Sequence, residues 1–193
     1  MKSERKHLEV MMKASFWRVV APLLGLGAFA GMSSAGAAEG DLKVGDKAPA
    51  FELMGSDGKT YSLDQFKGKQ AVVLNWFPKA FTGGCTAQCK SLGENSAILK
   101  PLNVAYFTAS VDTPELNKKF AESLDLDYPI LSDPDKTVAK AYGVVQEGRP
   151  VPERWTFYID KDGVIKEIDK KIQTKEAGSD VAKKIKELGL ASQ

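Results

Sequence analysis

Between Ala71 and Cys89 the chain admits few folds. Ala71-Val72-Val73-Leu74-Asn75-Trp76-Phe77 is a short, Val-rich apolar run closed by Pro78, the pattern of a buried strand. Gly83-Gly84 follow as a turn signal, and Thr86 to Leu99 reads as a helix. A buried strand feeding a helix belongs to sheets that carry helices on their faces. The two cysteines of the whole chain, Cys85 and Cys89, stand at the start of that helix. Unpaired backbone N–H groups and the positive end of the helix dipole stabilise a thiolate there, which points to thiol chemistry at Cys85.

The flanking segments extend the pattern. Two strand-like runs between Gly45 and Phe66 surround Ser56-Asp57-Gly58-Lys59, which predicts an N-terminal hairpin. Asn103 to Val111 reads as a strand. Thr113-Pro114 then offers a cap and a first helical residue, and Leu116, Phe120 and Leu124 share one face of the helix that follows. A short strand is expected at Pro129 to Leu131 and a short helix from Asp135 to Tyr142, stopped by Gly143. Trp155 to Ile159 and Val164 to Ile168 flank Asp160-Lys161-Asp162-Gly163, a second hairpin, and an amphipathic helix covers Ser179 to Leu188. The order hairpin, β, α, β, α, β, α, hairpin, α predicts an α/β domain with a mixed sheet flanked by helices. Asp57, Asp112 and Asp133 read as turn and cap residues.

Residues 1–38 have the layout of an export signal. Lys13 and Arg18 precede an apolar stretch from Val19 to Ala30, and Ala35-Gly36-Ala37 supplies an Ala-x-Ala cleavage pattern. The expectation is cleavage after Ala37 or Ala38, a periplasmic protein and a mature domain at 39–193. A retained membrane anchor or an organellar transit peptide fits less well: the stretch holds Pro22 and several glycines, and Glu4 and Glu9 precede it. Of the 193 residues 155 then remain, enough for one domain. Five of the 27 Lys and Arg and two of the 25 Asp and Glu lie in the signal, so a net charge of +2 becomes −1. No basic stripe argues for nucleic acid, and no stable membrane contact is expected after cleavage.

Two plainer readings of the cysteine pair are weaker. A structural disulfide across so short a loop removes little entropy from the unfolded chain. A zinc site needs two further ligands, and the one histidine, His7, lies in the segment expected to be removed. No metal or cofactor is expected.

Pro78-x-x-x-Thr82-x-x-Cys85 resembles the active-site signature of peroxiredoxins, and Cys89 lies near the position of the second cysteine in the peroxiredoxin Q (bacterioferritin comigratory protein) group. The resemblance covers most of the mature chain. Gly45-Asp46-Lys47-Ala48-Pro49-Ala50-Phe51 looks like the family's opening, Ser110-Val111-Asp112 and Leu131-Ser132-Asp133 look like its strand ends, and Ala141-Tyr142-Gly143-Val144 looks like its late helix. Arg154-x-Thr156-Phe157-x-Ile159-Asp160 resembles the segment that brings the family's arginine. The implied fold is thioredoxin-like.

The resemblance implies a thiol peroxidase acting on hydrogen peroxide or organic hydroperoxides, recycled by a thioredoxin-like reductant, and a monomer. It makes Cys85 the peroxide-reducing residue and Cys89 the residue that resolves its sulfenic acid. Thr82 would bond the thiolate or the substrate oxygen, Arg154 would hold the thiolate and the developing charge, and Pro78 would wall the site. Gly83 and Gly84 would permit a tight turn aiming N–H groups at the oxygens. Two features depart from the group: three residues, where four are common, separate the cysteines, and Gly83-Gly84 stands where Pro-Gly is common. The rivals are a thiol-disulfide oxidoreductase, a class that usually has two residues between its cysteines, and a Cu(I)-binding thioredoxin-like chaperone. The latter adds a histidine, and none follows Ala38.

Overall fold

In the computed structural model, which describes residues 41–192, the Val-rich run lies near the middle of a sheet. Among the described residues seven strands form it: β1 (Glu52–Gly55), β2 (Thr60–Ser62), β3 (Val72–Trp76), β4 (Ala105–Ser110), β5 (Ile130–Ser132), β6 (Thr156–Ile159) and β7 (Ile165–Asp169). Their spatial order is β2-β1-β5-β4-β3-β6-β7. β3, β4 and β5 pair in parallel and the other pairs are antiparallel, with the two expected hairpins at the edges. The helices are α1 (Gly83–Glu94), α2 (Ser96–Leu99), α3 (Pro114–Ser123), α4 (Thr137–Ala141) and α5 (Ala177–Glu187). The proposed signal, residues 1–38, lies outside the described residues.

Every residue of β3 and β4 is buried, because helices or loops cover both faces of the parallel centre. Side chains alternate along a strand, so β3 feeds two cores. Val72, Leu74 and Trp76 pack with Phe51, Leu53, Phe107 and Tyr142 on one side. Val73 packs on the other with Leu92 of α1 and Val181 and Ile185 of α5. Thr113 caps α3 as expected, its hydroxyl accepting from the Leu116 N–H at 3.3 Å, with Pro114 as the first helical residue.

One helix predicted over Thr86 to Leu99 is two. α1 starts earlier, at Gly83, and stops at Asn95, whose side-chain amide donates to the Ser91 carbonyl at 2.8 Å. Asparagine competes in this way with the backbone pattern of a helix and helps to end it. The end of α1 is held against α5 at close range. The Gly178 N–H, one of the unpaired donors of a first helical turn, donates to Ser91 Oγ at 3.0 Å. A Cβ at Gly178 would stand 2.3 Å from the Ser91 carbonyl oxygen and 2.7 Å from Asn95 Cβ. Gly178→Ala therefore forces the two helices apart, and equilibrium urea unfolding should show a loss of about 1–3 kcal/mol.

Candidate active site

The chain leaves β3 through Phe77, whose N–H donates to the Ala109 carbonyl at 2.9 Å, and passes a half-buried Pro78. The Ala80 N–H then donates to Asp112 Oδ2 at 2.8 Å. Phe81 follows with φ of 60°, a left-handed conformation that costs an aromatic residue about 1–3 kcal/mol. Its ring leans on Phe120 with centroids 4.9 Å apart. Thr82 is extended and α1 begins at Gly83. Gly83 and Gly84 therefore open the helix and do not form the expected tight turn: the left-handed residue is Phe81, held by Asp112 on one side and Phe120 on the other.

Cys85 is thus the third residue of α1, with its side chain fully buried. Arg154 reaches it from the segment before β6, donating from Nη2 to Cys85 Sγ at 3.3 Å. Its Nη1 donates to Gln88 Oε1. Gln88 lies one helical turn beyond Cys85 and is itself buried, so one guanidinium spans two residues of the same helix face. A cationic donor at this distance can hydrogen-bond the sulfur and an oxygen bound beside it. Gly84 gives the guanidinium room: a Cβ there would stand 3.2 Å from Arg154 Nη2, close enough to push it back by a few tenths of an ångström.

The position of Arg154 is fixed by the sheet. The Trp76 N–H donates to the Trp155 carbonyl at 2.8 Å. Asn75, buried on β3, accepts from Thr156 Oγ1 at 2.9 Å and donates to the Phe107 carbonyl at 2.9 Å. That asparagine reads as one polar interruption of an apolar run, and its job becomes visible only when β4 and β6 lie on either side of it.

Thr82 is exposed and donates its hydroxyl to the Lys79 carbonyl at 2.9 Å. Its single proton is engaged there, so the expected bond from Thr82 to the thiolate is not made in this structure. The oxygen's lone pairs can still accept from the O–H of a peroxide.

Cys89 faces inward, fully buried in a cluster with Cys85, Phe77, Ala80, Phe120 and Ile130. Burial pushes its thiol up to about 12, against the smaller opposing influence of the Thr108 and Tyr128 hydroxyls. The Tyr128 hydroxyl also donates to the Cys89 carbonyl at 2.9 Å. Both thiols are free and α1 is unbroken between them. A thiol with so high a pKa stays protonated at neutral pH and is a poor nucleophile. At pH 8, Cys89 should react with iodoacetamide at least ~100-fold more slowly than a free cysteine, as read by mass spectrometry of labelled peptides.

A mixed sheet that sets a buried cysteine at a helix start beneath an arginine is built for thiol chemistry. The AhpC/TSA family model matches residues 44–168. The chain is 39% identical over 133 residues to peroxiredoxin Bcp of Escherichia coli K12, an alignment covering 66% of this chain and 85% of that one. Among solved structures it superposes on peroxidoxin BcpB from Mycobacterium tuberculosis with a TM-score of 0.69 at 28% identity, covering 79% of this chain and 100% of that one. Peroxiredoxin Q from Xylella fastidiosa shares the fold, with a TM-score of 0.71 at 22% identity over 77% of this chain and 98% of that one. The chain belongs to the AhpC/TSA family, as a peroxiredoxin of the Bcp type, and is a thiol-dependent peroxidase.

Proposed function

We propose that Cys85 reduces the peroxide and Cys89 resolves the product. The observation that carries this reading is the contact of Arg154 Nη2 with the buried Cys85 sulfur at 3.3 Å, on the first turn of α1. The Cys85 thiolate attacks the O–H oxygen of a hydroperoxide, the O–O bond breaks, and Cys85 becomes a sulfenic acid. The leaving oxygen takes the electron pair and a proton from solvent, and departs as water or an alcohol. Arg154 then faces both the sulfur and the oxygens on which negative charge grows, where a preorganised donor counts most. Phe77, packed with Cys85, bounds the site on the β3 side, and Pro78 follows it in the chain.

Resolution needs motion. Side chains four apart on a helix have Cβ atoms about 5–6 Å apart, whereas a disulfide requires roughly 3.8 Å. The segment from Thr82 to Cys89 must loosen before the Cys89 sulfur attacks the sulfenic sulfur and displaces water. The same loosening frees Cys89 from the apolar surroundings that keep it protonated. An external dithiol of the thioredoxin type then restores both thiols. The basic, apolar and Ala-x-Ala pattern of residues 1–38 supports export to the periplasm, and the enzyme acts there as a monomer.

Dimedone labelling after one equivalent of peroxide tests the assignment. Cys89→Ser should accumulate a dimedone-reactive sulfenic acid on Cys85, while the wild type should give an intramolecular disulfide. A sulfenic acid that persists in the wild type would show that Cys89 does not resolve it and that an external thiol does.

A further inference from the structure

We infer that Asp112 is a positioning residue for peroxide reduction: its carboxylate holds the Ala80–Phe81 turn in the arrangement that presents Thr82 to substrate. Asp112 Oδ2 accepts from the Ala80 N–H at 2.8 Å and from Ser110 Oγ at 3.0 Å. Ser110 is fully buried at the end of β4, and its oxygen accepts from Asn117 Nδ2 of α3 at 3.0 Å and from the Asp112 N–H at 3.2 Å. Asn117 Nδ2 also donates to Ser132 Oγ of β5 at 2.8 Å. One proton assignment satisfies these bonds together. The Asn117 amide gives one hydrogen to each serine, Ser110 gives its own to Asp112, and Asp112 accepts from Ala80. The carboxylate is thereby anchored in two strands and a helix before it touches the turn.

Its target is the turn that most needs holding. Phe81, next in the chain after Ala80, has φ of 60°, and Thr82 after it carries the hydroxyl beside the helix start. Without an acceptor for the Ala80 N–H, Phe81 is free to return to an ordinary conformation and Thr82 moves with it. Asp112 does not touch the sulfur in this structure, so it acts through the turn and not on the reacting atoms.

The inference rests on Cys85 being the peroxide-reducing residue. Three variants separate position from charge, each followed by stopped-flow oxidation with hydrogen peroxide and by iodoacetamide alkylation of Cys85. Asp112→Ala should slow peroxide oxidation about 10–100-fold, the scale of a misplaced reacting group, with the alkylation rate within about threefold of wild type, since alkylation requires a thiolate but no placed Thr82. Asp112→Asn keeps an acceptor in place and should stay within about fivefold of wild type for peroxide. Asp112→Glu keeps the charge and displaces it, and should be slow like Asp112→Ala. The Asn and Glu variants carry the test if Asp112→Ala does not fold. An Asp112→Glu rate equal to wild type, an Asp112→Asn rate as low as that of Asp112→Glu, or alkylation slowing in step with peroxide oxidation would overturn the proposal. A wild type that reacts with peroxide no faster than a free cysteine would instead remove the assignment of Cys85.

Discussion

Cys85→Ser abolishes peroxide consumption, with kcat/KM falling by at least ~10⁴-fold in an assay coupled to a dithiol reductant. The serine hydroxyl is not ionised at neutral pH, and an Arg154 donor at 3.3 Å cannot make it so. Nor can the second thiol stand in. Cys89 is buried, its pKa is pushed up to about 12, and it sits on the face of α1 turned into the cluster of Phe77, Phe120 and Ile130. If Cys85→Ser kept more than a few per cent of the wild-type rate, peroxide would be meeting another group.

Arg154→Ala should lower kcat/KM for hydrogen peroxide by about 10²–10³-fold, the range seen when one preorganised donor is removed from a developing oxyanion. Two losses combine. The sulfur loses its cationic neighbour, and Gln88, fully buried, loses the donor that its carbonyl accepts from. Arg154→Lys should recover little of the rate. A single ammonium lacks the planar fork with which Arg154 reaches Cys85 and Gln88 at once. Steady-state kinetics across a range of peroxide concentrations measures both variants, and a lysine variant near wild-type activity would mean that charge alone suffices.

Much of the scaffold is legible in the chain because it is written locally. The Val-rich run gives β3, Thr113-Pro114 gives the start of α3, and Asp160 to Gly163 gives the turn between β6 and β7. Each of these is decided by side chains within a few residues of one another. Cys85 at a helix start is of the same kind. The parts that resist reading depend on distant partners. The left-handed residue before α1 is Phe81 and not a glycine, because Asp112, 32 residues on from Ala80, holds the turn through the Ala80 N–H. Gln88 looks like any polar helix residue until Arg154, 66 residues on, donates to it. Asn75 passes as an irregularity of a strand until Thr156 and the Phe107 carbonyl are seen beside it. For Asn75 the signal is a polar side chain inside a run whose neighbours are all buried, since a buried polar group needs a partner; Gln88 and Asp112 have half-buried or exposed neighbours and carry no such local signal.

Single-turnover oxidation of the reduced protein by hydrogen peroxide, followed by tryptophan fluorescence and thiol count, tests the central claim most directly. The account predicts a second-order rate constant of at least ~10⁴ M⁻¹s⁻¹, the lower end of the range for enzymes, loss of both thiols, and no fast phase in Cys85→Ser. Oxidation no faster than that of a free cysteine, or a fast phase that survives in Cys85→Ser, would contradict it.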